Sequence, residues 1–264
     1  VDAVEQGAFA GGQPYLAVGG GRPLVYLVGL SANHELPTGG LERRITLATI
    51  RPFAQAGYRV YLTNRPPDLE PGTSWADLAD DLAVSLTERF GEPVDLIGHS
   101  SGGSQLLQLL ADHPAVARKA VVASAAYRLG PIAKEAQLQL LANVEQHGRF
   151  QADLLVAGFV QNPTAQRLLN LPMGLAAPLI KIKSRSDLAI ALRAEDAFDV
   201  YEKLPAISTE TLVVYGGKDY FWTQEMFAET AARMPNATAL CYPKAGHALT
   251  TSPSFFRDTL TFLA

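Results

Sequence analysis

One cysteine, Cys241, stands in 264 residues. No intrachain disulfide can form, and a thiolate metal site is excluded. Histidine is sparse as well. His34, His99, His113, His147 and His247 make up the five, and no two stand at metal-ligand spacing on one helix, so no metal is expected. Charged residues are 18% of the chain, the net charge is −4, and no basic run exceeds Lys181-Ile182-Lys183-Ser184-Arg185. Nucleic acid is therefore an unlikely partner class. No apolar run reaches the roughly 18 residues of a membrane-spanning helix. The first residues lack a basic segment followed by an apolar core, so no signal peptide is expected and the expected location is cytoplasmic. No internal repeat or low-complexity tract is visible. What is present is a 48% hydrophobic composition, in a chain long enough for one α/β core plus an insertion.

Read in order, the chain alternates strand and helix patterns. Glycine-rich residues 1–22 carry one or two weak edge strands. Leu24–Val28 and Tyr58–Leu62 read as strands, with a helix pattern from Leu41 to Ala56 between them that stops at Gly57. Ser74 caps a helix carrying Asp77, Trp75, Leu78, Leu82 and Leu86, and Gly91 ends it. Strand Val94–Ile97, helix Gln105–Ala111 and strand Lys119–Ala123 follow. From Tyr127 to about Ile207 the strand rhythm disappears and apolar helical patches replace it. It resumes at Thr211–Tyr215, followed by helix Gln224–Arg233, strand Ala237–Tyr242 and a last helix opened by Ser252 and Pro253. This alternation predicts an α/β fold with a mostly parallel, doubly wound sheet. The helical block predicts an insertion covering the C-terminal edge of the sheet. The expected division is 1–126 and 208–264 for the core and 127–207 for a helical lid.

The informative stretch is Gly98-His99-Ser100-Ser101-Gly102. A buried strand runs into it and a helix leaves it, the context in which G-x-S-x-G forms a nucleophile elbow. Ser100 must occupy a strained turn to expose its hydroxyl, and glycines two residues either side remove Cβ atoms that would clash. The start of the next helix aims its positive dipole end and free N–H groups at the reaction centre.

Partners for Ser100 belong at the carboxyl ends of strands. Asp219 follows strand Thr211–Tyr215 through Gly216-Gly217-Lys218, and His247 follows strand Ala237–Tyr242 through Pro243-Lys244-Ala245-Gly246. The order Ser100, Asp219, His247 suits a hydrolase of this topology. His247 would take the serine proton and Asp219 would fix the imidazole tautomer. The plainer readings are a turn residue for Asp219 and a loop histidine with a structural hydrogen bond for His247. Glu195, Asp196 and Asp199 read instead as a solvated helix face or as salt-bridge partners. His99 reads as pointing away from the neighbouring hydroxyl. Backbone N–H groups of Ser101 and Leu30 are the expected oxyanion donors. Ser31 and His34 are candidate pocket residues beside them.

Through these motifs the chain resembles the α/β-hydrolase superfamily, of the kind with a helical cap inserted after strand 6. The resemblance spans residues 20–264 and rests on Gly98–Gly103, Gly216-Gly217-Lys218-Asp219, Ala245-Gly246-His247 and the block Ala194–Val200. Many relatives carry a histidine-glycine pair in the oxyanion loop, where this chain has Val28-Gly29. A serine at position 100 rather than aspartate argues against dehalogenase and epoxide hydrolase chemistry.

The expected activity is hydrolysis of an ester, thioester or lactone of a small, largely apolar substrate through an acyl-enzyme, as in a carboxylesterase-like serine hydrolase. No cofactor is expected. Tyr220, Phe221 and Trp222 would supply an aromatic wall, with Met173, Leu175 and Leu179 as lid residues; simple core packing is the rival role for these side chains. Other readings are C–C bond hydrolysis, hydroxynitrile lyase, cofactor-free dioxygenase or perhydrolase chemistry on the same triad. A slow-turnover small-molecule receptor and a non-catalytic scaffold complete the set. The expected partner is a small-molecule substrate, with no nucleic acid and no membrane, for a monomer or homodimer.

Overall fold

The computed structural model describes residues 3–160, 162–176 and 180–264. The strands are β1 (Glu5–Ala8), β2 (Pro14–Gly19), β3 (Arg22–Leu27), β4 (Tyr58–Thr63), β5 (Val94–His99), β6 (Ala117–Ala123), β7 (Glu210–Gly216) and β8 (Ala237–Tyr242). Between β3 and β4 lie α1 (Gly40–Ala48) and α2 (Arg51–Gln55). Helices α3 (Trp75–Phe90) and α4 (Ser101–Asp112) flank β5. Between β6 and β7 come α5 (Pro131–His147), α6 (Val156–Phe159), α7 (Pro163–Ala176) and α8 (Arg185–Asp196). Then follow α9 (Gln224–Arg233) and, after β8, α10 (Pro253–Leu263).

Among the described residues one eight-stranded sheet forms, in the order β1-β2-β4-β3-β5-β6-β7-β8. β1 and β2 pair antiparallel at one edge, and every pairing from β4 to β8 is parallel. A parallel sheet buries both faces, so its strands must be apolar on both sides. Alternate residues divide accordingly. Val25, Leu27, Leu96, Val122, Val213 and Tyr215 pack on one face with residues of α3, α4 and α9. Leu24, Tyr26, Ile97, Val121, Leu212 and Val214 pack on the other, with residues of α1, α2 and α10.

Local chemistry sets the element ends. The Ser74 hydroxyl accepts from Asp77 N–H and the Asp77 carboxylate accepts from Ser74 N–H, closing a capping box on α3; Gly91, at φ 68°, ends it. The sequence pattern predicted one helix from Leu41 to Ala56, and here the structure differs. Helix α1 stops at Ala48 and α2 restarts at Arg51, with Pro52 in its first turn. Proline has no N–H to continue the ladder, and its ring collides with the carbonyl four residues back. The chain therefore breaks at Thr49-Ile50.

The helices between β6 and β7 have a small apolar cluster of their own, formed by Leu140, Leu141, Val144, Phe150, Leu188 and Leu192. The base of this segment is clipped by an antiparallel bridge between Arg128 and Asp199 and by Val200 N–H donating to the Tyr127 carbonyl at 2.9 Å. No helix among the described residues is long and apolar enough to cross a membrane.

Candidate active site

The parallel strands deliver three loops to one end of the sheet. Ser100, directly after β5, sits at φ 56°, ψ −126°, a backbone conformation that costs a side-chain-bearing residue about 1–3 kcal/mol. It is held there because Ser100 N–H donates to the Ala123 carbonyl at 2.9 Å, extending the β5–β6 ladder by one bond. The flanking glycines are needed for close approach rather than for unusual φ. A Cβ at Gly98 would land on the Gly102 carbonyl, and one at Gly102 on the Leu27 and Val28 carbonyl oxygens.

The loops after β7 and β8 pack face to face. Gly217 N–H donates to the Tyr242 carbonyl at 2.9 Å and Lys218 N–H to the Ala245 carbonyl at 2.8 Å. A Cβ at Gly216 would strike the Ala245 carbonyl, so the glycine pair lets the two loops meet. Their meeting brings Asp219 and His247 together. His247 Nδ1–H donates to Asp219 Oδ2 at 2.8 Å, and the Ser100 hydroxyl lies 3.0 Å from His247 Nε2. Asp219 is 2% exposed, and its other oxygen accepts from Phe221 N–H at 3.1 Å. A buried carboxylate with both oxygens engaged cannot rotate, so the imidazole tautomer with hydrogen on Nδ1 is favoured and Nε2 faces the hydroxyl as an acceptor.

These groups open onto a cavity of about 400 Å³. Its walls include Leu30, Ser31, Asn64, Gln137, Leu155, Phe159, Phe221 and Trp222. The Phe221, Phe159 and Trp222 rings stand 4.5, 5.5 and 5.8 Å from the His247 ring, leaving one side of the imidazole apolar. Leu30 and Ser101 line the cavity, and their backbone N–H groups have no loop or turn acceptor among the described residues. Asn64 and Arg65 hold the loop after β3, donating to the Ser31 hydroxyl at 2.9 Å and the Ser31 carbonyl at 3.0 Å. That is how the loop is fixed with Val28-Gly29 at its start.

Not every residue expected at the pocket reaches it. Ser31, Phe221 and Trp222 line the cavity. His34 lines a neighbouring groove with Asn33, Glu35 and Lys183, its Nδ1 4.0 Å from Asp187. Tyr220 is not on the cavity wall; its N–H donates to the Gly158 carbonyl at 3.1 Å. Met173 and Leu175 fall in α7, where their side chains lie outside the described residues, as does Leu179 altogether.

Two further residues belong to the site. His99 Nε2–H donates to the His247 carbonyl at 3.2 Å, beside the Ser124 hydroxyl at 3.0 Å. Burial and the neighbouring His247 push the His99 ring down to about 3. Glu195 is 1% exposed, not the solvated or salt-bridged residue its composition suggested. Its carboxylate accepts from Ser101 Oγ at 2.7 Å, Gln137 Nε2 at 3.0 Å and Ser104 Oγ at 3.4 Å. The sequence did carry a signal for it. Leu188, Ala191, Leu192 and Glu195 repeat at helical spacing, which puts the carboxylate on the buried face of α8. No group of three or more His, Cys, Asp or Glu among the described residues has the arrangement of a metal site.

A model of the alpha/beta hydrolase family matches residues 36–259. The candidate carbamate hydrolase RutD of Caulobacter vibrioides is 26% identical over 201 residues, which cover 73% of each chain. Among solved structures, the enol-lactonase from Burkholderia xenovorans superposes with a TM-score of 0.73 at 19% identity, covering 98% of this chain and 99% of that one. A thermophilic esterase from Thermogutta terrifontis does so at 0.70 and 21%, covering 99% and 98%.

Proposed function

The chain belongs to the alpha/beta hydrolase family, and we propose that within it the protein is a serine hydrolase acting on an ester, thioester or lactone. The observation that carries this reading is the unbroken chain of hydrogen bonds from Ser100 Oγ through His247 to Asp219, at 3.0 and 2.8 Å. The enol-lactonase and the thermophilic esterase among the structural neighbours are in keeping with it.

In this reading His247 Nε2 takes the Ser100 proton as Oγ attacks the carbonyl carbon. The carbonyl π electrons move onto oxygen, and the oxyanion is received by the N–H groups of Leu30 and Ser101. Asp219 stabilises the imidazolium. His247 then returns the proton to the leaving alcohol or thiol as the C–O or C–S bond breaks, giving the acyl-enzyme. Water, deprotonated by the same imidazole, attacks that ester and restores Ser100. Phe159, Phe221 and Trp222 favour an apolar group on the substrate, and the α5–α8 segment serves as a lid over it.

The test is hydrolysis of p-nitrophenyl esters of increasing acyl length, with fluorophosphonate labelling, by wild type and Ser100→Ala. Turnover and labelling in wild type, both absent from the variant, are expected. A folded wild type that neither turns over nor labels overturns the reading.

A further inference from the structure

Three helices meet at one buried carboxyl. Glu195, near the end of α8, accepts from Ser101 and Ser104 in the first turns of α4 and from Gln137 on α5. Ser101 is the residue directly after Ser100, and Gln137 also lines the cavity. No Lys or Arg forms an ion pair with Glu195 among the described residues. The first turn of α4 brings no titratable side chain to it, and α5 brings Gln137. Lys134 is engaged with Asp196. Arg65, which borders with Glu195 a small cavity of about 20 Å³ under the elbow, is the one charged neighbour there. Beyond Ser100 stand His99 and His247.

Burying a carboxylate without an ion-pair partner is unfavourable, and hydroxyl and amide donors offset only part of that cost. Accordingly, burial pushes Glu195 up to about 6 against the pull of its three donors. A glutamine or an apolar side chain would join the helices without that cost. The carboxyl's placement is the informative part.

We infer that Glu195 is a positioning residue for acyl transfer: its hydrogen bonds fix Ser101, whose N–H receives the oxyanion, and its charge stands behind that oxyanion. This rests on the serine hydrolase reading. The 2.7 Å bond from Ser101 Oγ holds that side chain on Glu195 and so restrains the peptide that joins it to Ser100. The tie from Ser104, one turn further along α4, keeps the helix start from rotating. Ionised, the carboxylate places a like charge near the developing oxyanion and slows its formation. Protonated, it keeps the same bonds, because its carbonyl oxygen accepts from Ser101 and Gln137 while its O–H donates to Ser104. Glutamine mimics that neutral form.

The experiment measures kcat and KM for the preferred p-nitrophenyl ester, with fluorophosphonate labelling rates, between pH 5 and 8. It compares wild type, Glu195→Gln, Glu195→Ala and Ser101→Ala. Glu195→Ala is expected to have a kcat about tenfold below that of Glu195→Gln at each pH, with KM within about twofold. The ratio of Glu195→Gln to wild type is expected near one at pH 5 and to rise severalfold through pH 6. A ratio that stays flat with pH overturns the inference, as does a kcat in Glu195→Ala equal to that of Glu195→Gln. If Glu195→Ala fails to fold, Ser101→Ala decides by the same deficit in kcat against Glu195→Gln, and its absence overturns the inference. A wild type that labels and turns over while these effects are missing refutes only the role of Glu195. A wild type that does neither removes the hydrolase reading and this inference together.

Discussion

The His99 ring lies 5.2 Å from the His247 ring, with 39° between their planes, and its Nε2–H donates to the His247 carbonyl oxygen at 3.2 Å. The imidazole that faces Ser100 is thus held at its side chain by Asp219 and at its backbone by a second histidine. Burial, with the neighbouring His247, pushes His99 down to about 3, so across the physiological range it makes this bond as a neutral ring.

A pH dependence of stability follows. His99 is depressed to about 3 in the fold from an ordinary 6.5, so below pH 6.5 the unfolded chain binds a proton that the folded chain refuses. Stability is expected to fall as pH drops from 6.5 toward 3, by about 3 kcal/mol at pH 4.5 from this group. Denaturant melts of wild type and His99→Gln at pH 7 and 4.5 check this; equal acid losses in the two proteins would refute it.

Asp219→Asn tests the orientation of His247. An amide nitrogen facing Nδ1 selects the tautomer with hydrogen on Nε2, which cannot take the Ser100 proton. A fall of about a thousandfold in kcat with little change in KM is expected. Steady-state kinetics on the preferred ester would show it, and a fall below about tenfold would contradict it.

Gly102→Ala is expected to be among the most damaging single-methyl additions in the chain. The new Cβ would meet the Leu27 and Val28 carbonyl oxygens, forcing α4 off the sheet at the turn that carries Ser100. A loss of about 3 kcal/mol or more is expected, read as a drop in melting temperature together with lost labelling. A variant with wild-type melting would show that the elbow has slack.

Glu195 titrates in the opposite sense to His99. Its value is raised from 4.5 to about 6, so between these pH values the unfolded chain gives up a proton that the folded chain keeps. Wild type therefore loses stability as pH rises from 4.5 through 6, and the deficit of about 2 kcal/mol persists above. Glu195→Gln should be the more stable protein at pH 8, and its advantage should shrink toward pH 4.5. An advantage independent of pH would count against a buried ionised carboxyl.

Much of this architecture was legible beforehand. Helix α9 and strand β8 have the bounds that the sequence pattern predicted, because Thr223, Asn236 and Pro243 punctuate them. Ser100, Asp219 and His247 stood out because each follows a strand end, where the parallel topology gathers side chains. Glu195 and His99 did not stand out, for a physical reason. Glu195 counts as polar in any composition-based reading, and only its phase with Leu188 and Leu192 betrays its burial. His99 works by donating to a backbone carbonyl 148 positions away, a contact that leaves no local pattern. The break between α1 and α2 falls just before Pro52, a residue that the helix pattern from Leu41 to Ala56 runs across.

The Ser100–His247 hydrogen bond spans 147 positions, and this has a consequence for how the protein is born. Translation delivers Ser100 on its strained turn long before β8 and its loop leave the ribosome. On the proposed reading a nascent chain holds the nucleophile with neither its base nor its acid, and β7 and β8 must add to the β6 edge before they arrive. At about 5–20 residues per second, the hydroxyl waits unactivated for several seconds or more. On the same reading the nascent chain cannot turn over an ester until the loop after β8 has joined the sheet, so recovered turnover reports on the docking of that loop as much as on the strands before it.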